Sequence, residues 1–361
     1  MTVNYLNESA AVLYSEILDK AQQNSVLRPD GFSFAPKTRN GIKYWYLQHA
    51  FGHSRKQVYI GREDEGTLKK IMQQKAQWEL AKQDQIQLEK LTSMAIMGGC
   101  SKISGQAYKV LSSLEQSGLF SLGCVLAGSY AFQAYGNMLG VEWSSKSMMT
   151  QDVDLAADDN CLIAVPEDFK PLGEQILASD EKMLAVGALN HSHPSTSYHV
   201  RGKEFRVDVI TSLKPNEPAK NGPYYLTGLK THAHGLRFLD FILKDAQKAV
   251  LLHKTAILVN VPDPARFALH KLVISERRPA AEQIKSRKDI SQAAQLIEVL
   301  LADRPGDLWR AIDRARQYPS PKFAATLLKM IVRLPSHQSE AMLEYWRKEN
   351  NNEKFREDDW E

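Results

Sequence analysis

The feature that most constrains this chain is an acidic pair set inside a strand-forming run, Asp152-Val153-Asp154-Leu155-Ala156. Residues two apart on a β-strand face the same side, so both carboxylates would stand on one face while Val153 turns into a core behind them. Like charges this close repel unless a cation lies between them. A solvated pair at a strand end is the competing reading of the pair taken alone.

A second run, Phe205-Arg206-Val207-Asp208-Val209-Ile210, places one acid in the middle of a strongly β-forming segment. Burying it without a partner is costly. A cation shared with Asp152 and Asp154 would be such a partner. Hard oxygen donors suit Mg²⁺ or Mn²⁺. Upstream, the apolar run Cys124–Ala127 leads into Gly128-Ser129 and a helical pattern reaching about Leu139. Small residues at a strand-to-helix turn let a ligand approach the backbone. The helix start offers free N–H groups to an anion such as a triphosphate. By itself this dipeptide also fits a plain turn.

Taken in order, Gly128-Ser129, Asp152-x-Asp154 and the distant Asp208 resemble the motif of the DNA polymerase β-type nucleotidyltransferase superfamily. The stretch between Ser129 and Asp152 is longer than in compact members and leaves room for an inserted loop, 140–151. Downstream, PARFALHKLVISERR (264–278) and KSRKDISQAAQLIEVL (285–300) resemble the helical region of bacterial abortive-infection and toxin–antitoxin nucleotidyltransferases. Lys271 matches the lysine of that region and Lys288-Asp289 its basic-acidic pair. The resemblance covers about residues 100–300.

It implies an α+β fold: a polymerase β-type core, a mixed sheet with helices, followed by an α-helical C-terminal domain. The boundaries expected are an N-terminal α+β module with a hairpin and a long helix (1–95), the catalytic core (96–262), the helical domain (263–348) and an acidic, frayed tail (349–361). In the N-terminal part, a helix around Ala10–Gln22 precedes a loop with Pro29, Asp30, Gly31 and Pro36. Two β-like runs, 42–50 and 56–61, flank Gly52 as a hairpin. A long helix follows over 66–91, and another over 104–117 ends at Gly118. Further strands are expected at 197–201, 205–210 and 255–261, with 250–253 a weaker candidate. Helices are expected at 264–276, 284–301, 306–317, 321–333 and 337–348.

The resemblance further implies an enzyme that moves a nucleotidyl group from an NTP to an acceptor hydroxyl. Asp152, Asp154 and Asp208 would hold the metal and carry catalysis. Gly128, Ser129 and Lys271 would hold the triphosphate, with Arg278 and Lys288 as further nucleotide-binding cations. An RNA or tRNA 3′ end is the favoured acceptor. A signalling oligonucleotide, a modified protein and a non-catalytic nucleotide- or RNA-binding regulator are the alternatives. Bacterial defence biology would add a cognate antitoxin or effector protein as a partner.

Lys271 also reads as a snorkelling lysine, and the cluster Arg277, Arg278, Lys285, Arg287 and Lys288 as a solvated face. The hairpin sets Tyr44, Trp45 and Tyr46 beside Lys43, Arg55 and Lys56, which suits single-strand stacking or an ordinary half-buried sheet. His191 and His193 are too isolated for a zinc site, and His270 reads as a helix-face residue. Composition sets the outer limits. In 361 residues, 43% are hydrophobic and the net charge is +4, mildly basic without a nucleic-acid coat. Cys100, Cys124 and Cys161 are odd in number and lack metal-site spacing, so buried free thiols are expected. No stretch approaches the roughly 20 apolar residues of a membrane span, and no leader is evident, so a cytoplasmic protein is expected.

Overall fold

A computed structural model describes residues 3–24, 32–51, 54–144, 151–160, 162–163, 165–167, 169–187, 193–213 and 222–358. The expected turn residues Pro29, Asp30, Gly31 and Gly52, the loop serines Ser145 and Ser147, His191 and Cys161 lie outside them.

Strand β1 (Asn4–Tyr5) leads into helix α1 (Glu8–Asn24). Ala10, Tyr14, Ile17 and Ala21 recur at helical spacing and form its buried stripe. They pack on Leu88 of the long helix α2 (Glu65–Met97) and on Val250, Leu252, Ala256 and Leu258 of a hairpin far along the chain. The backbone N–H of Val250 donates to the Tyr14 hydroxyl at 3.1 Å. Asp64 starts α2 by accepting from the Thr67 N–H at 2.7 Å.

Between α1 and α2 lie β2 (Phe32–Arg39), β3 (Ile42–Phe51) and β4 (Ser54–Arg62), a three-stranded antiparallel sheet. A hairpin of two strands was expected, with Pro36 in a loop. Pro36 instead sits in β2 opposite Trp45. β2 is an edge strand, where a residue without an N–H is tolerated. Asn40 and Gly41, with φ of 52° and 73°, make the tight β2–β3 turn.

The central sheet combines β5 (Val125–Ala127), β7 (Asp152–Ala156), β8 (Met183–Ala185), β9 (Ser197–Val200), β10 (Arg206–Leu213), β11 (Tyr224–Leu226) and β12 (Thr231–Arg237). β10 lies between β7 on one edge and β9 with β12 on the other. Its pairings with β7 and β12 are parallel, and β5 closes the far side of β7 antiparallel. Val153, Leu155, Val207 and Val209 are wholly buried on one face, so the acids between them stand on the other. Strands β8, β11 and β12 were not expected from sequence.

Helix α3 (Gly105–Gln116) ends at Ser117, and Gly118 follows with φ 83°. Helix α4 (Gly128–Leu139) springs directly from β5 and is followed by β6 (Val141–Glu142), which pairs with β1. Helices α5 (Leu172–Ala178) and α6 (Asp240–Leu243) are short. The hairpin β13 (Gln247–Leu252) and β14 (Ala256–Val261) is tied to the start of β5 by Asn260, whose amide donates to the carbonyls of Phe120 and Cys124.

From Pro264 the chain is helical, as expected: α7 (Pro264–Arg277), α8 (Gln283–Asp303), α9 (Pro305–Arg316), α10 (Pro321–Ile331) and α11 (Ser336–Asp358). The acidic tail, read from sequence as frayed, continues α11 to Asp358. The fold is thus mixed α and β with a helical C-terminal part. Cys100 and Cys124 are buried free thiols, and burial pushes Cys124 up to about 12. Among the described residues no helix is long and apolar enough to cross a membrane.

Candidate active site

The pairing of β7 with β10 sets Asp154 directly beside Asp208, with Asp152 one pleat earlier opposite Arg206. In-register neighbours on adjacent strands stand about 4.8 Å apart. Two carboxylates at that spacing, on a face with few cations of its own, destabilise each other's charge. Burial, then Asp208 and Asp152, push Asp154 up from 3.8 to about 6, against the pull of Lys271 and Arg278. Asp208 is also raised by burial, while the hydroxyl of Ser197, donating to its Oδ1, and Arg206 hold it down.

Gly128 closes this cluster from the β5 side. Ala127 pairs with Asp154, and the next residue starts α4 with φ 63°. A Cβ built on Gly128 would lie 1.8 Å from Oδ2 of Asp154. Any side chain there would displace the carboxylate. Ser129 follows in the first turn of α4, whose N-cap Ala127 provides no side-chain hydrogen bond. The amino end of the helix therefore meets the carboxylates with its N–H groups uncapped by a side chain.

The C-terminal helices bring the cations. Lys271 on α7 is neither snorkelling nor at an open rim. It is buried, and its ammonium lies 2.6 Å from Asp289 on α8. Arg278 reaches the other oxygen of Asp289, also at 2.6 Å, and Glu282 at 3.0 Å. Burial opposes the charge of Asp289, yet Lys271 and Arg278 hold its pKa below the usual carboxylate range. Lys288, the residue before Asp289, is lowered by burial and by Lys271, while Asp289, Asp152 and Asp154 pull it back up. The two halves of the chain thus meet electrostatically at the carboxylates.

The basic cluster read from sequence is partly neutralised within itself. Glu282 takes Arg278 and, at 3.7 Å, Lys285. Arg277 lies over the ring of Phe238 at 5.2 Å. His270 is buried, and burial with the neighbouring Lys271 pushes it down to about 3. Its Nε2 has no hydrogen-bond partner among the described residues. It lies on the buried face of α7.

The donor set has the chemistry of a hard divalent cation site: carboxylates only, aligned by strand register, one of them raised by burial and by the neighbouring acids. Among the described residues no group of three or more His, Cys, Asp or Glu side chains is already drawn together as a ligand set. Strand pairing supplies the alignment of Asp154 with Asp208. A bound cation would offset the repulsion that adds to burial in raising both.

Two contributors escaped the sequence reading. Ser197, hydrogen-bonded to Asp208, sits in a β-strand that was expected, but nothing local links it to an acid eleven residues on. Asp289 was read as half of a pair with Lys288, whereas its partners are Lys271 and Arg278.

A family profile described as Nucleotidyltransferase matches residues 106–317, more than half of the 361-residue chain. The match runs from α3 into the helical region and includes every carboxylate and cation of this site. Neither a curated protein nor a solved structure matches the chain. Strand-aligned acids beside an uncapped helix start, within the matched span, agree with that profile: the chain belongs to the nucleotidyltransferase family.

Proposed function

We propose that this nucleotidyltransferase moves a nucleoside monophosphate from an NTP to the 3′ hydroxyl of an RNA, with Asp152, Asp154 and Asp208 holding Mg²⁺ or Mn²⁺. The observation that carries the reading is the register of Asp154 beside Asp208 under a glycine with no room for a side chain. A bound divalent cation would supply charge neutralisation for the phosphates and for the developing leaving group.

The chain's own residues do the rest. The first turn of α4, Gly128 and Ser129, offers N–H groups and a hydroxyl to the triphosphate. Lys288, electrostatically coupled to Asp152 and Asp154, adds positive charge on the opposite side, with Lys271 and Arg278 behind it. Asp208, at the β10 edge away from α4, faces the acceptor. The acceptor oxygen bonds to the α-phosphorus, the bond to pyrophosphate breaks with its electron pair, and the hydroxyl proton passes to the Asp208 carboxylate. A raised pKa favours that proton's arrival. A role beside a cognate antitoxin or effector rests on the resemblance of residues 264–300 alone.

The test is incubation with each α-labelled NTP, Mg²⁺ and total RNA. Label is expected on RNA, with pyrophosphate released, and is expected to vanish in Asp152→Ala, Asp154→Ala and Asp208→Ala proteins that remain folded. Full turnover by the Asp154→Ala protein would remove the assignment.

A further inference from the structure

The sheet carries a cavity on the side of Asp208 that faces away from α4. Reading across the strands, Gly128 and Ser129 follow β5, Asp152 and Asp154 lie on β7, Asp208 on β10, and β9 and β12 come next. At that far edge a cavity of about 350 Å³ opens between β9, β11 and β12. Ser197 belongs to its wall and also donates to Asp208. His234, another wall residue, is among the groups whose charge Asp208 feels. The cavity therefore adjoins the carboxylate assigned to the acceptor, and the α4 end of the site lies across the carboxylates from it.

Its lining is specific. Three ring residues, His193, Tyr224 and His234, and three hydroxyl residues, Ser195, Thr196 and Ser197, line it. Among the described residues none of the lining side chains is Lys, Arg, Asp or Glu. Glycines let the rings lie close. A Cβ on Gly235 would stand 2.6 Å from the Tyr224 ring, and one on Gly222, with φ 153°, would stand 3.2 Å from the His193 imidazole. A cavity of this size takes one small molecule and no duplex. Its wall offers ring faces for a flat partner and hydroxyls for polar edges, with imidazoles in place of Lys or Arg.

We infer that this cavity is the acceptor pocket and holds one nucleoside with free ribose hydroxyls, its base against Tyr224 and the two histidines and its ribose toward Ser197 and Asp208. The inference rests on the transferase reading above for its role, and on the cavity alone for its ligand. The nucleoside has two sources, the last residue of an RNA or a free nucleoside.

Gly187 allows a direct test. It lines the cavity, and a Cβ on it meets nothing within 4 Å. Gly187→Leu should fill the cavity without straining the fold. Binding is measured without NTP, by equilibrium dialysis of labelled adenosine and uridine and by fluorescence anisotropy of a short RNA ending in free 2′,3′ hydroxyls or in a 3′-phosphate. We expect Tyr224→Ala to weaken binding by about ten- to a hundredfold, as loss of one base-stacking partner does. Gly187→Leu should weaken it at least as much, with Tm and ATP affinity unchanged. Loss confined to RNA with free hydroxyls identifies the RNA end as the source, and loss of nucleoside binding alone identifies the free nucleoside. Binding of both probes unaltered by both substitutions, or no binding of either probe by the unsubstituted protein, overturns the inference. Nucleoside binding that needs this cavity in a protein that transfers nothing from any NTP leaves the pocket standing and removes the proposed function.

Discussion

Oδ2 of Asp154 occupies the place where a side chain on Gly128 would begin, 1.8 Å from the position of its Cβ. The glycine is required twice, by this overlap and by its φ of 63°. The left-handed backbone alone costs a non-glycine residue roughly 1–2 kcal/mol. Gly128→Ala should therefore lower Tm and abolish transfer by displacing the carboxylate. Part of the stability loss should return when Asp154 is also changed to Ala, while activity stays absent. Equal Tm losses for Gly128→Ala with and without Asp154 would show that the two do not compete for space.

The raised pKa of Asp154 gives stability a definite pH dependence. The folded protein binds this proton up to about 6, whereas the ordinary carboxylate value is 3.8. Between those values the native state holds more protons than the unfolded chain, so stability falls as pH rises through that window. Asp154→Asn should flatten this slope. Mg²⁺, which favours the ionised form, should raise Tm more at pH 7 than at pH 5. Thermal melts across pH 4–8 with and without Mg²⁺ check both, and an Asp154→Asn protein with the original slope would refute the assignment.

Asp289 anchors two cations in the interior, Lys271 and Arg278, each at 2.6 Å. Removing one partner of a buried pair costs about 3–5 kcal/mol, because the other charge is left uncompensated. Asp289→Ala strands two cations. Lys271→Met leaves Asp289 still paired with Arg278. Chemical denaturation should show the Asp289 change to be the more damaging of the two. The opposite order would mean that Asp289 is better solvated than its 4% side-chain exposure indicates.

Ser197 positions Asp208 and holds its pKa down through one hydrogen bond. A hydrogen bond to a charged group contributes about 1.5–3 kcal/mol, equivalent to one or two decades in kcat/KM. Ser197→Ala should lose about that much and move the acidic limb of the kcat/KM profile to higher pH. Ser197→Thr keeps the hydroxyl and should restore the limb. A purely structural serine would leave the limb in place.

What was legible from residue order alone was whatever repeats locally. The period of two in Asp152-Val153-Asp154 and in Val207-Asp208-Val209 placed the acids on one face and the valines in the core, and the structure has Val153, Val207 and Val209 wholly buried. Gly128-Ser129 between an apolar run and a helical pattern marked the strand-to-helix turn. The period near 3.6 laid out every helix from Pro264 onward. Asn40-Gly41 was an equally local hairpin signal. It went unread because Pro36 suggested a loop, and Pro36 is admitted only because β2 lies at an edge.

Tertiary structure decided the pairings. Asp154 meets Asp208, 54 positions further along the chain, because β7 and β10 align in parallel register, and no local period encodes register between distant strands. Lys271 was read as a free cation because its partner Asp289 lies 18 residues away, on another helix. Burial then turned that pair into an internal anchor, and left charge toward the carboxylates to be shaped by several residues at once. Strands β11 and β12, with His232, His234 and Gly235 in place of a clean apolar alternation, are held as strands by their neighbours in the sheet and not by their own composition. The nature of the acids was written in the sequence. Which groups face them follows from folding, because charge and packing act through space.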